Sequence, residues 1–216
     1  MSTLQTLSIW VLPLLFAITL HEVAHGLTAR YLGDTTAEEL GRLSLNPIRH
    51  IDPVGTLLVP LLLFFVGGFV FGWAKPVPVD MARLNNPKRD MAVVAVAGPL
   101  ANLFMALLWA SVSKLGMVLY GDFDWIAIPM LYMGQAGIAI NLILMILNLL
   151  PIPPLDGGRV LAGLLPDRMA YALSRVEPYG FFIVLGLLAL GILGQILSPP
   201  YAVLSDMINK AFVLPF

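Results

Sequence analysis

Residues 4–32 read LQTLSIWVLPLLFAITLHEVAHGLTARYL. The run from Leu4 to Leu20 contains no charged residue, and the helical pattern continues to the end of the stretch. On a helix that rises 1.5 Å per residue, His21 lies about 26 Å from Leu4. Because the hydrocarbon core of a bilayer is about 30 Å thick, we expect the HEVAH motif inside a membrane and close to one face.

Two histidines in this stretch have the spacing of ligands to one metal ion. His21 and His25 are four residues apart, so on a helix both imidazoles lie on the same face. Zinc binds imidazole nitrogens, and in catalytic sites it takes three protein ligands and a water molecule. Glu22 directly follows the first histidine, where its carboxylate can reach that water as a general base. Ionisable residues at membrane depth are costly and usually functional, which favours a metal site over a chance motif.

The third ligand must come from another part of the chain, and two residues are candidates. His50 lies in a polar loop among charged neighbours, where a solvated histidine is the more natural interpretation. Asp156 follows the proline-rich residues 151–154, which end a helix, and precedes two glycines, which allow close backbone approach. Its carboxylate could instead cap a helix that begins near Gly157. In combination with the two-histidine motif, its position favours Asp156 as the third metal ligand.

Composition limits the possible classes of protein. Of the 216 residues, 59% are hydrophobic and 12% are charged, whereas soluble domains average about 45–50% and about 25%. The net charge of −1 offers no attraction for a nucleic acid. Because the chain has no cysteine, disulfides and thiolate metal sites are excluded, and any metal site is built from His, Asp and Glu.

These features predict an all-α polytopic membrane protein. About four transmembrane helices are expected, at residues 4–32, 91–113, 126–150 and 179–197. Short β or extended pieces are expected near the metal site, at residues 41–47 and 74–80. We expect a single structural domain, made of a core at residues 1–178 and a C-terminal membrane helix with an interfacial tail at 179–216.

The distribution of basic residues predicts the orientation. Arginine and lysine cluster before residue 53, between residues 75 and 89, and after residue 158, whereas residues 114–125 hold one Lys and two Asp. The positive-inside rule therefore places the metal motif on the cytoplasmic side, in what we expect to be a prokaryotic cytoplasmic membrane. The loops on both sides of residues 53–73 then share one face. This favours a re-entrant hairpin, although the segment is also long enough for a full crossing.

Four polar side chains interrupt the apolar segments. Asn102 and Asn148 stand in motif-like contexts and could support the site, for example by steadying an oxyanion or the substrate backbone. Interhelical hydrogen bonding is the alternative for both. Gln135 and Asn141 lack such a context, and we expect them to serve packing.

The motifs resemble those of the site-2 protease family of intramembrane zinc metalloproteases, in particular its short bacterial-type members. The resemblance rests on HEVAH at 21–25, GPLAN at 98–102, NLLPIPPLDGG at 148–158, GRLSLNPIRHIDPVGT at 41–56 and FGWAKPVP at 71–78. The sequence departs from larger members of that family in having no PDZ-like and no nucleotide-binding domain.

The resemblance implies one zinc ion per chain, held by His21, His25 and Asp156, with Glu22 as the catalytic residue. It implies hydrolysis of a peptide bond within or near a transmembrane segment of a membrane-protein substrate, as in regulated intramembrane proteolysis. The expected partners are such a substrate and the lipid bilayer, and no nucleic acid.

Two other functions would use the same residues. A metal transporter or sensor needs the ligands but no base beside them, so Glu22 favours hydrolysis. An inactive scaffold would hold a client helix, but the complete set of catalytic residue types favours an enzyme. If the chain is a protease, an extended substrate could pair with a strand edge at residues 41–47 or 74–80.

Overall fold

A computed structural model describes residues 3–67 and 72–214 of the chain. Within these ranges the chain is all-helical and forms no β-strand. The α-helices are α1 (Thr3–Tyr31), α2 (Thr36–Glu39), α3 (Val59–Gly67), α4 (Pro87–Leu119), α5 (Asp124–Asn148), α6 (Asp156–Leu164), α7 (Asp167–Ser174), α8 (Glu177–Ala189) and α9 (Ile192–Phe212). Shorter turns are 3₁₀ at Pro47–His50 and Met81–Arg83 and π-helical at Pro53–Leu58. The all-α prediction is confirmed, and the two segments expected to be β or extended form turns and extended chain without a ladder.

Within the described residues, three helices are long and apolar enough to cross a membrane, namely Ser8–Tyr31 within α1, the whole of α4 and the whole of α5. A transmembrane helix needs about 20 predominantly apolar residues. Outward-facing positions carry exposed large apolar side chains such as Phe16, Phe104 and Ile143, which suits contact with lipid. The prediction of an integral membrane protein is confirmed, with three of its expected spans.

The fourth predicted span, residues 179–197, is not one helix. α8 ends at Ala189, and α9 begins at Ile192 after Gly191, whose φ of 72° lies in the left-handed region. The 13 residues of α8 make about 20 Å of helix, which is shorter than the hydrocarbon core. α8 reaches membrane length only together with α7, from which it is bent by 62°. Because the apolar composition continues through this break, hydropathy alone does not reveal it.

The centre of the bundle is the pair α4 and α5, which a short turn joins in antiparallel directions. Two glycines of α5 permit the close approach of these helices. A Cβ atom on Gly134 would lie 2.5 Å from the Ser113 Cβ, and one on Gly137 would overlap Trp109. From α9, Ile208 completes the same buried core. α1 packs on both central helices and α6 packs on α4, which brings three distant parts of the sequence to one region of the bundle.

Residues 53–73 enter and leave the bundle on the same side. The Trp73 N–H donates to the Gly55 carbonyl at 3.0 Å, and the Thr56 hydroxyl donates to the Trp73 carbonyl at 2.9 Å. The two ends of the segment are therefore in contact, which supports the predicted re-entrant hairpin. In the described residues the segment continues from the π-helical turn into α3 as far as Gly67, and residues 68–71 lie outside the described part of the chain.

Candidate metal centre

Helix α1 brings the two histidines of the motif to one buried point. His21 and His25 are one helical turn apart, and they are 8% and 7% exposed. Their ring centroids are 4.6 Å apart with an interplanar angle of 88°. Their Nε2 atoms lie only 3.1 Å from each other, so the four-residue spacing places two nitrogen atoms where one ion could bind both.

Asp156 begins α6, and two glycines behind it let the preceding connection fold closely onto the helix. A Cβ atom on Gly157 would overlap the Leu149 carbonyl, and one on Gly158 would lie 2.5 Å from the Pro153 nitrogen. Side chains at these two positions would push the start of α6 away from the end of α5. The glycines therefore help to determine where the Asp156 carboxylate lies.

That carboxylate faces both histidines. Asp156 Oδ2 lies 3.1 Å from His21 Nε2 and 3.3 Å from His25 Nε2. The N-cap position of α6 is Leu155, and no side chain caps the helix there. Asp156 thus does not take the capping role that was its alternative interpretation.

Hydrogen bonds show which nitrogen of each imidazole carries the proton. His25 Nδ1 lies 2.7 Å from the Val94 carbonyl oxygen, which can only accept, so Nδ1 donates. His21 Nδ1 lies 2.7 Å from Asn102 Oδ1. The Asn102 amide nitrogen donates to the Ala17 carbonyl at 3.2 Å, which determines the orientation of the amide and makes His21 Nδ1 the donor. In the neutral rings, both Nε2 lone pairs therefore point into the site.

Two imidazole nitrogens and one carboxylate oxygen converge at this point. Asp156 Oδ2 is buried without a hydrogen-bond partner, and the three atoms lie 3.1, 3.1 and 3.3 Å apart. Around a tetrahedral zinc ion with ligands at about 2.0–2.2 Å, neighbouring ligand atoms are about 3.3–3.6 Å apart. The triangle has nearly the dimensions of one face of such a tetrahedron. Among residues 3–67 and 72–214 it is the one group of three or more metal-binding side chains.

Comparison with known proteins places this site in a family. Residues 116–191 match the model of peptidase family M50, and this range includes Asp156. YwhC of Bacillus subtilis is 37% identical over 210 residues, which cover 94% of this chain and 90% of that protein. The chain belongs to peptidase family M50. The resemblance to the site-2 protease family is thereby confirmed.

Two further relatives of this M50 member match over shorter lengths. Rip2 of Mycolicibacterium smegmatis is 33% identical over 174 residues, which cover 81% of this chain and 64% of that protein. MJ0611 of Methanocaldococcus jannaschii is 35% identical over 106 residues, which cover 47% of this chain and 50% of that protein. These two proteins and YwhC each carry the name "Putative zinc metalloprotease". No solved structure matches the chain.

A chain of amides supports His21 in this M50 member. Asn102 is fully buried, and besides its bond with His21 it donates to Asn141 Oδ1 at 3.0 Å. The Asn141 amide in turn donates to the Gly137 carbonyl at 2.8 Å. Hydrogen bonds of this kind fix the tautomer and the orientation of a metal-binding imidazole. Asn141, which we expected to serve packing, therefore also belongs to the surroundings of the metal centre.

Asn148 lies apart from this network. Its amide donates to the Leu144 carbonyl at 3.0 Å, one turn back in the same helix. The structure thus brings only the first of the two candidate supporting asparagines into contact with a histidine of the centre. An asparagine that bonds within its own helix and one that bonds across helices look the same in a single sequence.

Gly98 of α4 packs directly against the two histidine rings. Its replacement by alanine is expected to weaken zinc binding. A Cβ atom there would lie 2.6 Å from His21 Cε1 and would overlap His25 Nε2. Overpacking of this kind costs about 1–3 kcal/mol, which corresponds to an affinity loss of roughly 10- to 100-fold. Competition with a chelator of known affinity measures the change. The control is Gly194→Ala, since a Cβ atom at Gly194 meets nothing within 4 Å; equal affinities in the two variants would contradict the prediction.

Glu22 lies beside the group of three without belonging to it. Its Oε2 atom accepts a hydrogen bond of 2.7 Å from the Val77 N–H, which arrives from the extended chain after the hairpin. The other carboxylate oxygen, Oε1, is left for a further partner. No pattern in the sequence predicts the Val77 contact, because it joins residues far apart through a backbone group.

His50 does not join the metal centre. It is 2% exposed, so its interpretation as a solvated histidine was wrong. Its Nε2 atom donates to the Ser44 carbonyl at 2.8 Å, and its own carbonyl accepts from the Lys75 N–H at 2.9 Å. The ring therefore stabilises the loop before the hairpin, and the backbone carbonyl of His50 joins that loop to the chain after the hairpin.

Proposed function

We propose that this M50 member is an intramembrane zinc endopeptidase that hydrolyses a peptide bond within or near a transmembrane segment of a membrane-protein substrate. Zinc would be held by His21, His25 and Asp156, with one ion per chain. The observation that carries the proposal is the triangle of three potential ligand atoms inside a bundle of membrane-length helices. The neighbouring carboxylate of Glu22 supplies the base that hydrolysis needs.

The chemistry divides between the ion and the chain. Bound zinc supplies Lewis acidity, which polarises the scissile carbonyl and lowers the pKa of water. Glu22 Oε1 accepts the proton of the attacking water and delivers it to the nitrogen of the leaving peptide. Asn102 keeps the His21 ring in the tautomer whose Nε2 lone pair faces the site.

The proposed substrate is an apolar helix because of where the centre lies. His21 lies ten residues before Tyr31, where α1 ends, which is about 15 Å of helix. A transmembrane substrate hides its carbonyl groups in helical hydrogen bonds, so it must unwind locally before attack. The basic residues on this side of the bundle support a cytoplasmic orientation in a prokaryotic cytoplasmic membrane.

We also propose that the whole chain is one structural domain. The C-terminal helices share the buried core of the bundle through Ile208 and Leu214. α8 contacts the proline-rich turn before the metal ligand, since a Cβ atom on Gly180 would overlap the Pro153 carbonyl. Residues 179–216 would thus form part of the same folding unit as residues 1–178.

Mass spectrometry of newly formed peptide termini tests the proposed function. The zinc-loaded protein and its Glu22→Gln variant are each reconstituted with a membrane fraction of the host, and new termini are labelled. We expect termini inside apolar segments with the unaltered protein, and their absence with the variant. New termini confined to water-exposed regions would overturn the intramembrane assignment. If no new termini form although one zinc ion is bound per chain, the peptidase assignment fails and a transporter or sensor becomes the better interpretation.

A further inference from the structure

Residues 72–80, which we call the strap, run as extended chain beside α1. Along one edge of the strap, the N–H group of every second residue donates a hydrogen bond to another part of the chain. The Trp73 N–H donates to the Gly55 carbonyl, and the Lys75 N–H donates to the His50 carbonyl at 2.9 Å. The third N–H in this series, that of Val77, donates to the Glu22 carboxylate at 2.7 Å.

Prolines stiffen the strap around this third group. Pro76 and Pro78 flank Val77, and each fixes its own φ near −65° and has no N–H. They restrict the strap to extended conformations. Because proline has no N–H, the edge that faces away from α1 has few backbone hydrogen-bond donors. The backbone that presents the Val77 N–H is therefore stiff, and an extended substrate could not form a regular ladder on the opposite edge.

The strap is anchored on both sides of Val77. Arg42 donates to the Lys75 carbonyl at 2.9 Å, and the Asp80 N–H donates to Asp34 Oδ2 at 2.7 Å. Burial works to raise the pKa of Asp34, but hydrogen bonds from Thr36 and from the Asp80 N–H outweigh it, so the pKa is lowered. Asp34 therefore remains a charged acceptor at neutral pH and holds the end of the strap.

Helix α1 is shaped to receive the strap at Val77. The Val77 side chain is buried, with 7% of its surface exposed. Gly26 lies one turn after Glu22 on the same face of α1, and a Cβ atom there would lie 2.9 Å from Val77 Cγ1 and would overlap Leu43. The missing side chain at Gly26 thus lets the strap come close enough for its N–H to reach the carboxylate.

We propose that Val77 is a positioning residue whose backbone N–H holds the catalytic base. In the described part of the chain this is the one hydrogen bond of the Glu22 carboxylate. It binds Oε2 and leaves Oε1 available to a water molecule, so the strap sets the rotamer of the base. The inference rests on the proposed role of Glu22 in hydrolysis.

The test removes the N–H and preserves the extended backbone. Val77→Pro eliminates the donor, whereas Val77→Ala keeps it. Lys75→Pro removes the neighbouring strap bond, which does not involve Glu22. Because a misplaced catalytic group costs roughly 10²-fold, we expect Val77→Pro to lower kcat about 10- to 100-fold with KM changed less than about twofold. Val77→Ala and Lys75→Pro should retain kcat within about threefold, and all three variants should bind one zinc ion per chain.

A second variant reaches the same contact without changing the strap. Gly26→Ala pushes Val77 away from α1 and leaves every N–H in place, so it should reproduce the selective loss of kcat. Equal kcat losses in Lys75→Pro and Val77→Pro would overturn the inference, because they would show that any loss of strap binding has the same effect. Unchanged kcat in both Val77→Pro and Gly26→Ala would also overturn it. If Glu22→Gln itself retained activity, the proposed function would fail together with the inference, whereas an inactive Glu22→Gln beside a fully active Val77→Pro would overturn the inference alone.

Discussion

Substitution of Glu22 by glutamine is expected to lower kcat by about 10²- to 10⁴-fold, the usual contribution of a general base. Glutamine has nearly the shape of glutamate, and its carbonyl oxygen can still accept the Val77 N–H that now binds Oε2. It cannot take a proton from water at neutral pH. The loss should therefore be chemical, with zinc content and melting temperature unchanged. Turnover of a substrate identified by its new termini, measured in proteoliposomes, gives kcat directly.

The matched control for this variant is Glu38→Gln. Glu38 is an exposed glutamate that pairs with Arg30 at 2.9 Å, and removal of such a surface pair changes stability by at most about 1 kcal/mol. Its kcat should stay within about twofold of the unaltered protein. Loss of zinc from Glu22→Gln would make Glu22 a ligand and not a base, and full turnover would remove it from the mechanism.

Replacement of Asp156 by alanine should abolish tight zinc binding. Asp156 supplies the negative charge among the three ligand atoms, and Oδ2 lies within 3.3 Å of both Nε2 atoms. Loss of a residue that merely supports a ligand costs roughly 10- to 100-fold in metal affinity, so loss of the ligand itself should exceed that range. Elemental mass spectrometry after dialysis against a chelator should find one zinc ion per chain in the unaltered protein and almost none in the variant.

A thermal measurement strengthens this test. A ligand that binds only the folded state stabilises it, so zinc should raise the melting temperature of the unaltered protein and leave that of Asp156→Ala unchanged. Asp167→Ala is the control, because Asp167 is an exposed carboxylate whose partner is Lys88. Full zinc occupancy in Asp156→Ala would discard the third ligand and would require another residue to replace it.

The sequence predicts the convergence of His21, His25 and Asp156 better than it predicts the fold around them. The histidine pair follows from helical periodicity, which is a local rule. Asp156 could be found because the prolines and glycines around it leave a recognisable backbone signature. Gly98 and Asn141 carry no such signal, since each acts on the centre through a contact between helices.

Two segments show why local patterns were insufficient. The break at Gly191 interrupts an apolar stretch in which hydropathy stays high, so a single span was expected. His50 was expected in water, but its side chain is buried, and the Lys75 N–H of the strap donates to its carbonyl. The break at Gly191 depends on one backbone dihedral angle, and the burial of His50 depends on tertiary contacts. Neither produces a periodic pattern in the sequence.

The division of the ligands between α1 and the start of α6 has a consequence during synthesis. The histidines are translated with α1, whereas Asp156 is translated only after both central helices. A nascent chain that stops before α6 can offer two imidazoles and no carboxylate from that helix, so it cannot assemble the triangle of ligands. If these three residues hold the catalytic zinc as proposed, a nascent chain that stops before α6 has no hydrolytic activity.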